Sequence, residues 1–76
     1  MMDWHPIDSR MFSAAAYDAG RRILYLRFTS GDVYRYFEFP EQYYVDFLNA
    51  ESRGRYFLSN IRHHFRYERL AKLQVA

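Results

Sequence analysis

The clearest pattern along the chain is the alternation of apolar and polar side chains over residues 23–29. Such an alternation is typical of a β-strand with one buried face, which here carries Leu24, Leu26 and Phe28. A weaker alternation over residues 12–17 predicts a preceding strand. It places Phe12, Ala14 and Ala16 on one face and Ser13, Ala15 and Tyr17 on the other.

Residues 29–31 (Thr-Ser-Gly) separate the second strand from a third alternating segment. A three-residue hairpin loop with glycine in the left-handed position fits this sequence. It pairs Leu26 with Tyr34 and Leu24 with Tyr36. A two-residue loop would instead place an arginine opposite Leu26, so the apolar pattern favours the longer loop. Both tyrosines are therefore expected in the core rather than at a base-stacking surface.

Two helices are predicted after the hairpin. Pro40 suits the first position of a helix. The apolar stripe of this helix consists of Tyr44, Phe47 and Leu48. Ser52 is a suitable N-cap for the second helix. The stripe of the second helix consists of Phe57, Ile61 and Phe65.

Gly54 lies early in the second predicted helix, where glycine costs about 1 kcal/mol relative to alanine. We expect close packing against a strand or the first helix to be the reason for it. Residues 67–73 are expected to continue as a helix or to fray.

The predicted fold is α+β, a three-stranded antiparallel meander followed by two α-helices packed on one sheet face. Residues 1–76 are expected to form a single domain, because the chain is short. Ala14 and Ala16 would allow the helices to approach the sheet closely. The predicted core consists of Phe12, Leu24, Leu26, Phe28, Tyr34, Tyr36, Tyr44, Phe47, Leu48, Phe57 and Ile61.

The net charge of +2 is unevenly distributed. Residues 1–51 hold five Arg against eight Asp and Glu, which gives −3, whereas residues 52–76 hold five Arg and one Lys against one Glu, which gives +5. Ten of the eleven basic residues are Arg, whose planar guanidinium suits contacts with phosphates and bases. The asymmetry favours a polyanionic or acidic partner. A solvated helix face explains the same charges.

Several classes of protein are not expected. The chain has no cysteine, which fits a reducing cytoplasm and excludes disulfides and thiolate zinc sites. No apolar stretch approaches the roughly 20 residues that span a bilayer, so we expect no membrane partner. His5, His63 and His64 lack other ligands at metal-binding spacing, so neither a metal nor another cofactor is expected. No nucleophile or phosphate-loop motif surrounds the available serines and histidines, so an enzyme is not expected.

A series of short motifs follows in a fixed order over about residues 9–69. They are Ser9, Tyr17-Asp18, Leu24-x-Leu26-x-Phe28, Ser30-Gly31, Tyr34-x-Tyr36, Pro40, Ala50-x-Ser52-x-Gly54, Tyr56-Phe57 and Ile61-Arg62. In this order and spacing the chain resembles the KTSC domain, a family named for its occurrence at the C-terminus of some lysyl-tRNA synthetases. The family has no established activity, and its attachment to these synthetases implies RNA or tRNA as a partner. One departure is Leu58, where family members often carry a polar residue, commonly Asn.

The sheet face away from the helices is the first candidate surface. It places Tyr25 between Arg27 and Arg35, and sheet platforms that bind single-stranded RNA present aromatic rings beside cationic side chains. Dimerisation, a protein partner, or cover by residues 1–10 and the C-terminal tail are alternatives for so apolar a face. The whole predicted face consists of Tyr17, Ile23, Tyr25, Arg27, Val33, Arg35 and Phe37.

The arginines of the second helix are the second candidate. Arg53 and Arg55 flank its N-terminus, where a phosphate would be favoured. Arg62, Arg66 and Arg69 would line one face if the helix continues. The sequence thus predicts a noncatalytic binding domain for RNA, with a protein-interaction or self-association module as the alternative. The predicted RNA contacts are Tyr25, Arg27, Arg35, Arg53, Arg55 and Arg62.

Overall fold

The computed structural model describes residues 3–70, which form one antiparallel sheet of five strands with helices on one face. The strands follow the chain order: β1 (His5–Pro6), β2 (Phe12–Asp18), β3 (Ile23–Phe28), β4 (Val33–Tyr36) and β5 (Tyr67–Leu70). Between β4 and β5 lie α1 (Glu41–Asn49) and α2 (Arg53–Tyr56), and α2 continues into a π-helical segment, Phe57–Ile61. The α+β class and the placement of both helices on one face are confirmed, but the sheet has five strands rather than three.

The β3–β4 hairpin has the predicted three-residue loop. Leu24 pairs with Tyr36 and Leu26 pairs with Tyr34. Gly31 has a φ of 98°, and its amide donates a hydrogen bond to the Phe28 carbonyl at 2.9 Å. The apolar pattern therefore determined the register of this hairpin, because any one-residue slip would have turned the leucines and tyrosines to opposite faces.

A β-bulge in β2 reverses half of the predicted strand faces. Phe12 faces the core, but the register with β3 shifts by one residue before Ala14. Beyond the bulge, Ala15 and Tyr17 pair with the two leucines of β3 and share their face. The predicted placement of Ala14 and Ala16 beneath the helices, and of Tyr17 on the opposite face, is therefore wrong. Simple alternation cannot represent the extra residue that a bulge inserts.

Tyr17 connects the sheet to the first helix. Its ring stacks on Tyr44 of α1, with centroids 5.2 Å apart and planes 18° apart. Its hydroxyl donates a hydrogen bond to the Phe39 carbonyl. Burial raises the pKa of Tyr17 and of Tyr44 above the usual tyrosine value, as expected for phenols at a helix–sheet contact.

β5 occupies a segment that was predicted as helix. The helical turns end at Ile61, a turn follows in which His63 has a φ of 68°, and Tyr67–Leu70 then pairs antiparallel with β4. The edge of β4 offers backbone donors and acceptors that a further strand satisfies, which outweighs local helix propensity. The predicted helix face of Arg62, Arg66 and Arg69 is therefore wrong. Residues 71–73 of that prediction lie outside the described residues.

The helix boundaries follow local chemistry. Ser52 caps α2 as predicted, because its Oγ accepts a hydrogen bond from the Arg55 amide at 3.2 Å. Pro40 is extended, with a ψ of 141°, so α1 begins one residue later than predicted. A Cβ on Gly54 would meet the Met11 Cε at 3.7 Å, an ordinary contact. The close packing expected at Gly54 is therefore absent.

The core lies between the sheet and the helices. Seven of the predicted core residues are buried: Phe12, Leu24, Leu26, Tyr36, Phe47, Phe57 and Ile61. Four others, Phe28, Tyr34, Tyr44 and Leu48, pack against this cluster while remaining partly exposed. The prediction missed Ile7, Ala15 and Phe39. Phe39 lies in the irregular β4–α1 connection, where no periodicity indicates burial, and its ring packs 4.7 Å from that of Phe65.

Candidate functional site

The sheet face away from the helices brings Tyr25, Arg27 and Arg35 together, as predicted. Each of them makes contacts within the protein. Tyr25 is only 8% exposed. The Arg27 Nε donates a hydrogen bond to the Ser13 Oγ at 3.2 Å, and its guanidinium lies 5.2 Å from the ring centre of Trp4. Trp4 thus covers part of this face, and cover by residues 1–10 was one of the predicted alternatives.

Arg35 is held by β5. Its Nε donates a hydrogen bond to the Glu68 Oε1 at 2.7 Å, and its guanidinium lies 5.3 Å from the ring centre of Phe37. Arg66 lies over the same ring at 4.5 Å. The hydrogen bond with Glu68, and then that with Tyr25, raises the pKa of Arg35. Guanidinium groups therefore cover the apolar rings of this face, as cation–π contacts allow.

The other three predicted contact residues lie on the helical side. The Arg53 Nη2 donates a hydrogen bond to the Leu48 carbonyl at 2.9 Å, which ties α2 to the end of α1. Arg55 is exposed beside the N-cap. Arg62 is also exposed, but it lines a groove on another part of the surface. The six predicted residues thus do not form one surface.

A groove between the hairpin, β5 and the π-helical segment encloses about 410 Å³. Most of its lining side chains are aromatic or apolar, and a few are charged or polar. We call it the tyrosine groove. It is lined by Met11, Phe28, Ser30, Asp32, Tyr34, Tyr36, Phe57, Leu58, Arg62, His63 and Tyr67.

Three tyrosines line the groove side by side. The rings of Tyr34 and Tyr36 lie 6.5 Å apart with planes 22° apart, because alternate residues of β4 point the same way. The ring of Tyr67 lies 5.8 Å from each of them. Phe28 meets Tyr34 edge to face at 5.3 Å and Phe57 meets Tyr36 in the same way at 6.1 Å. The rings of Phe28 and Phe57 therefore hold Tyr34 and Tyr36 in place.

Arg62 supplies positive charge to the groove. Burial raises the pKa of Tyr36 well above the usual value, the neighbouring Tyr34 and Tyr67 add to this, and Arg62 opposes it. Arg62 and Tyr36 both line the groove. Asp32 lies at the Tyr34 end, where its Oδ1 pairs with the Arg69 Nη2 at 3.1 Å.

Exposure and backbone geometry also distinguish the groove. Four large apolar or aromatic side chains are exposed among residues 3–70, and two of them line it: Leu58 at 48% and Tyr67 at 52%. The π-helical segment forms one wall, closed by a hydrogen bond from the Arg62 amide to the Phe57 carbonyl at 2.8 Å. Such segments occur frequently at functional sites. Within the described chain, no three metal-binding side chains form a group.

The sequence contained a partial signal for this groove. The Tyr34-x-Tyr36 spacing placed two aromatic rings on one strand face, and Arg62 was among the predicted contacts. Tyr67 was missed because its segment was predicted as helix. The groove requires β5, so it was not visible from the local pattern.

The fold and the groove define a small α+β domain whose helix-bearing face carries an aromatic hollow. The chain belongs to the KTSC domain family, whose family model matches residues 8–65. The resemblance inferred from the motifs is thereby confirmed. The crystal structure of a KTSC domain protein from Yersinia pestis is similar to it, with a TM-score of 0.89 and 28% identity, and the match covers 93% of this chain and 100% of that one.

Two relatives show where such domains occur. A protein of Tsukamurella paurometabola is 43% identical over 61 residues, which cover 80% of this chain and 91% of that protein. A lysine–tRNA ligase of a Nostoc species is 34% identical over 64 residues, which cover 84% of this chain and 11% of the ligase. The chain therefore spans about a tenth of the ligase's length.

Proposed function

We propose that this protein is a noncatalytic domain that binds single-stranded RNA in the tyrosine groove. The observation that carries the proposal is the half-exposed ring of Tyr67, held against Tyr34 and the buried Tyr36, beside the exposed Arg62. Proteins that bind single strands combine aromatic rings, on which bases stack, with cations that contact the backbone. The volume of the groove, about 410 Å³, falls within the range of small-ligand sites.

The charge around the groove favours an anionic ligand. Clustered aromatic rings also bind cations. Arg62, however, lines the groove with these rings, and the segment from residue 52 onward carries five Arg and one Lys against one Glu. These charges repel a cation and attract a phosphate. A ligand that is both planar and anionic, such as a nucleotide, fits both features.

The relatives support RNA as the class of ligand. Three of them are lysine–tRNA ligases, whose names state that they act on tRNA. The domain recurs in these enzymes and also makes up nearly all of a small protein. This distribution is consistent with an accessory domain that binds RNA. This support is only an association between a domain and an enzyme. The proposal that RNA or tRNA is the ligand therefore rests on the groove, and the following experiment tests it.

A two-dimensional amide NMR titration with mixed-sequence single-stranded RNA, at low and moderate salt, tests the proposal. Salt-sensitive shifts are expected at Tyr34, Tyr36, Arg62 and Tyr67. Shifts confined to Tyr25, Arg27 and Arg35, or to Arg53 and Arg55, would place the site at the surfaces predicted from sequence instead. An unchanged spectrum at low salt would refute RNA binding.

The alternative is a protein-interaction or self-association module that uses the sheet face away from the helices. The structure favours it less, because the exposed large apolar side chains among residues 3–70 are Tyr43, Val45, Leu58 and Tyr67, none of which lies on that face. Analytical ultracentrifugation at protein concentrations that differ by about tenfold distinguishes the two proposals. A concentration-dependent dimer that Tyr25→Ala disrupts, and that RNA leaves unchanged, would favour the alternative.

A further inference from the structure

His63 lies in the turn between the π-helical segment and β5, and its backbone has a φ of 68°. Glycine adopts this left-handed conformation without steric cost, whereas a residue with a Cβ is strained in it. Arg22 and Glu38 also have positive φ angles, so a left-handed backbone by itself does not indicate a binding residue. His63 differs from both because it lines the tyrosine groove.

The side chain of His63 is available to a ligand. His63 is exposed, and its imidazole makes no hydrogen bond or ion pair with another residue of the described range 3–70. No such bond within that range therefore offsets the strained backbone. A contact with a bound ligand is a role for this side chain that glycine cannot fill.

Arg62 precedes His63 in the chain, is also exposed and lines the same groove. Because consecutive Cα atoms are about 3.8 Å apart, two side chains that can carry positive charge lie at one place in the groove wall. The other charged or titratable side chains that line the groove are three tyrosines and Asp32, which is paired with Arg69. Guanidinium and protonated imidazole groups both donate charge-assisted hydrogen bonds to phosphate oxygens.

We propose that His63 contacts an RNA phosphate next to the one at Arg62, and that acidification strengthens this contact. The inference rests on the proposed function. Histidine is the side chain whose charge ordinarily changes between pH 5 and pH 8. Its protonated form places a second cation beside Arg62, so the affinity for RNA should rise as the pH falls through this range.

Fluorescence anisotropy with a labelled oligouridine nonamer, measured at pH 5.5 and pH 8 over a range of salt concentrations, tests this inference. The phosphodiester groups and uracil bases of this probe keep their charge over that range. We expect the Kd to fall by about fivefold on acidification, the contribution of an exposed ion pair. The slope of log K against log salt concentration should become steeper by about 0.7, because one further phosphate is neutralised.

Three variants assign the pH response to one histidine. His63→Asn removes the titrating group and keeps a residue that tolerates the left-handed backbone, so its affinity should be the same at both pH values. His63→Lys is charged throughout and should bind at pH 8 about as tightly as the parent protein binds at pH 5.5. His64→Asn is the matched control. His64 is exposed in the same turn but does not line the groove, so this variant should keep the full response.

A fourth variant separates binding from the structure of the turn. His63→Gly relieves the strained backbone but adds freedom to the unfolded chain, so its midpoint of urea unfolding should be no lower than that of the parent protein. Its affinity at pH 5.5 should nevertheless fall by about fivefold. Unchanged affinity in this folded variant would show that His63 serves the turn alone and would overturn the inference.

The remaining outcomes separate this inference from the proposed function. If the nonamer binds at neither pH, the proposed function fails and this inference fails with it. If it binds equally at both pH values, RNA binding stands and the role of the His63 charge is wrong. A pH response that persists in His63→Asn, or that His64→Asn loses equally, would also overturn the inference.

Discussion

The ring of Tyr67 lies 5.8 Å from the ring of Tyr36, directly across the ladder between β4 and β5. Tyr36 is buried, at 4% exposure, whereas Tyr67 is half exposed. The two rings therefore have different roles. Tyr36 anchors the cluster in the core, and Tyr67 presents an aromatic surface to the groove.

Replacing Tyr67 with alanine should weaken RNA binding with little loss of stability. Stacking of a base on an aromatic ring contributes about 1–3 kcal/mol, so we expect roughly a tenfold or greater rise in Kd. The midpoint of thermal unfolding should change little, because Tyr67 is half exposed. Tyr43→Ala is the matched control, since Tyr43 is an exposed tyrosine on α1 outside the groove. Equal affinities of the two variants would contradict the proposed role.

The sequence determined the parts of the fold that rest on local pattern. The hairpin register followed from the apolar face shared by Leu24, Leu26, Tyr34 and Tyr36. The N-cap at Ser52 followed from the chemistry of a serine that precedes a helix. Both features depend on residues close together in the chain.

The parts that the sequence did not predict depend on distant partners. The bulge in β2 turns Ala15 and Tyr17 towards the helices, although nothing in an alternating pattern marks an inserted residue. β5 forms because β4 offers it an edge. The local pattern of its own residues does not show that edge and predicted a helix instead. The tyrosine groove lies where β5 meets β4, and it was therefore missed with β5.

Gly54→Ala should stabilise the protein by about 0.5–1 kcal/mol. The new methyl group has room beside Met11, and alanine has less conformational entropy to lose than glycine within a helix. Urea denaturation measures the change. Gly31→Ala is the opposing control, because a φ of 98° disfavours any side chain there and should make that variant less stable. Destabilisation by Gly54→Ala would show that this glycine is required by a contact in the folded protein.

Alkaline pH should destabilise the protein through Tyr36. Its pKa is raised in the folded state by burial, while an unfolded tyrosine ionises near pH 10. Unfolding therefore releases a proton above about pH 10, so stability is complete below that pH and falls as the pH rises towards the folded-state pKa. Tyr36→Phe cannot ionise, and its urea midpoint should decline less between pH 8 and pH 11. Parallel declines in both proteins would exclude Tyr36 as the cause.

Arg62→Ala should reduce the salt dependence of RNA binding. If Arg62 contacts one phosphate, the slope of log K against log salt concentration should fall by about 0.7 for a single strand. Arg21→Ala removes the same charge from the exposed turn between β2 and β3, so it should leave the slope unchanged. Arg35→Ala tests the opposite sheet face in the same way. A reduced slope in Arg35→Ala but not in Arg62→Ala would place the phosphate contact on that sheet face and remove the tyrosine groove as the binding site.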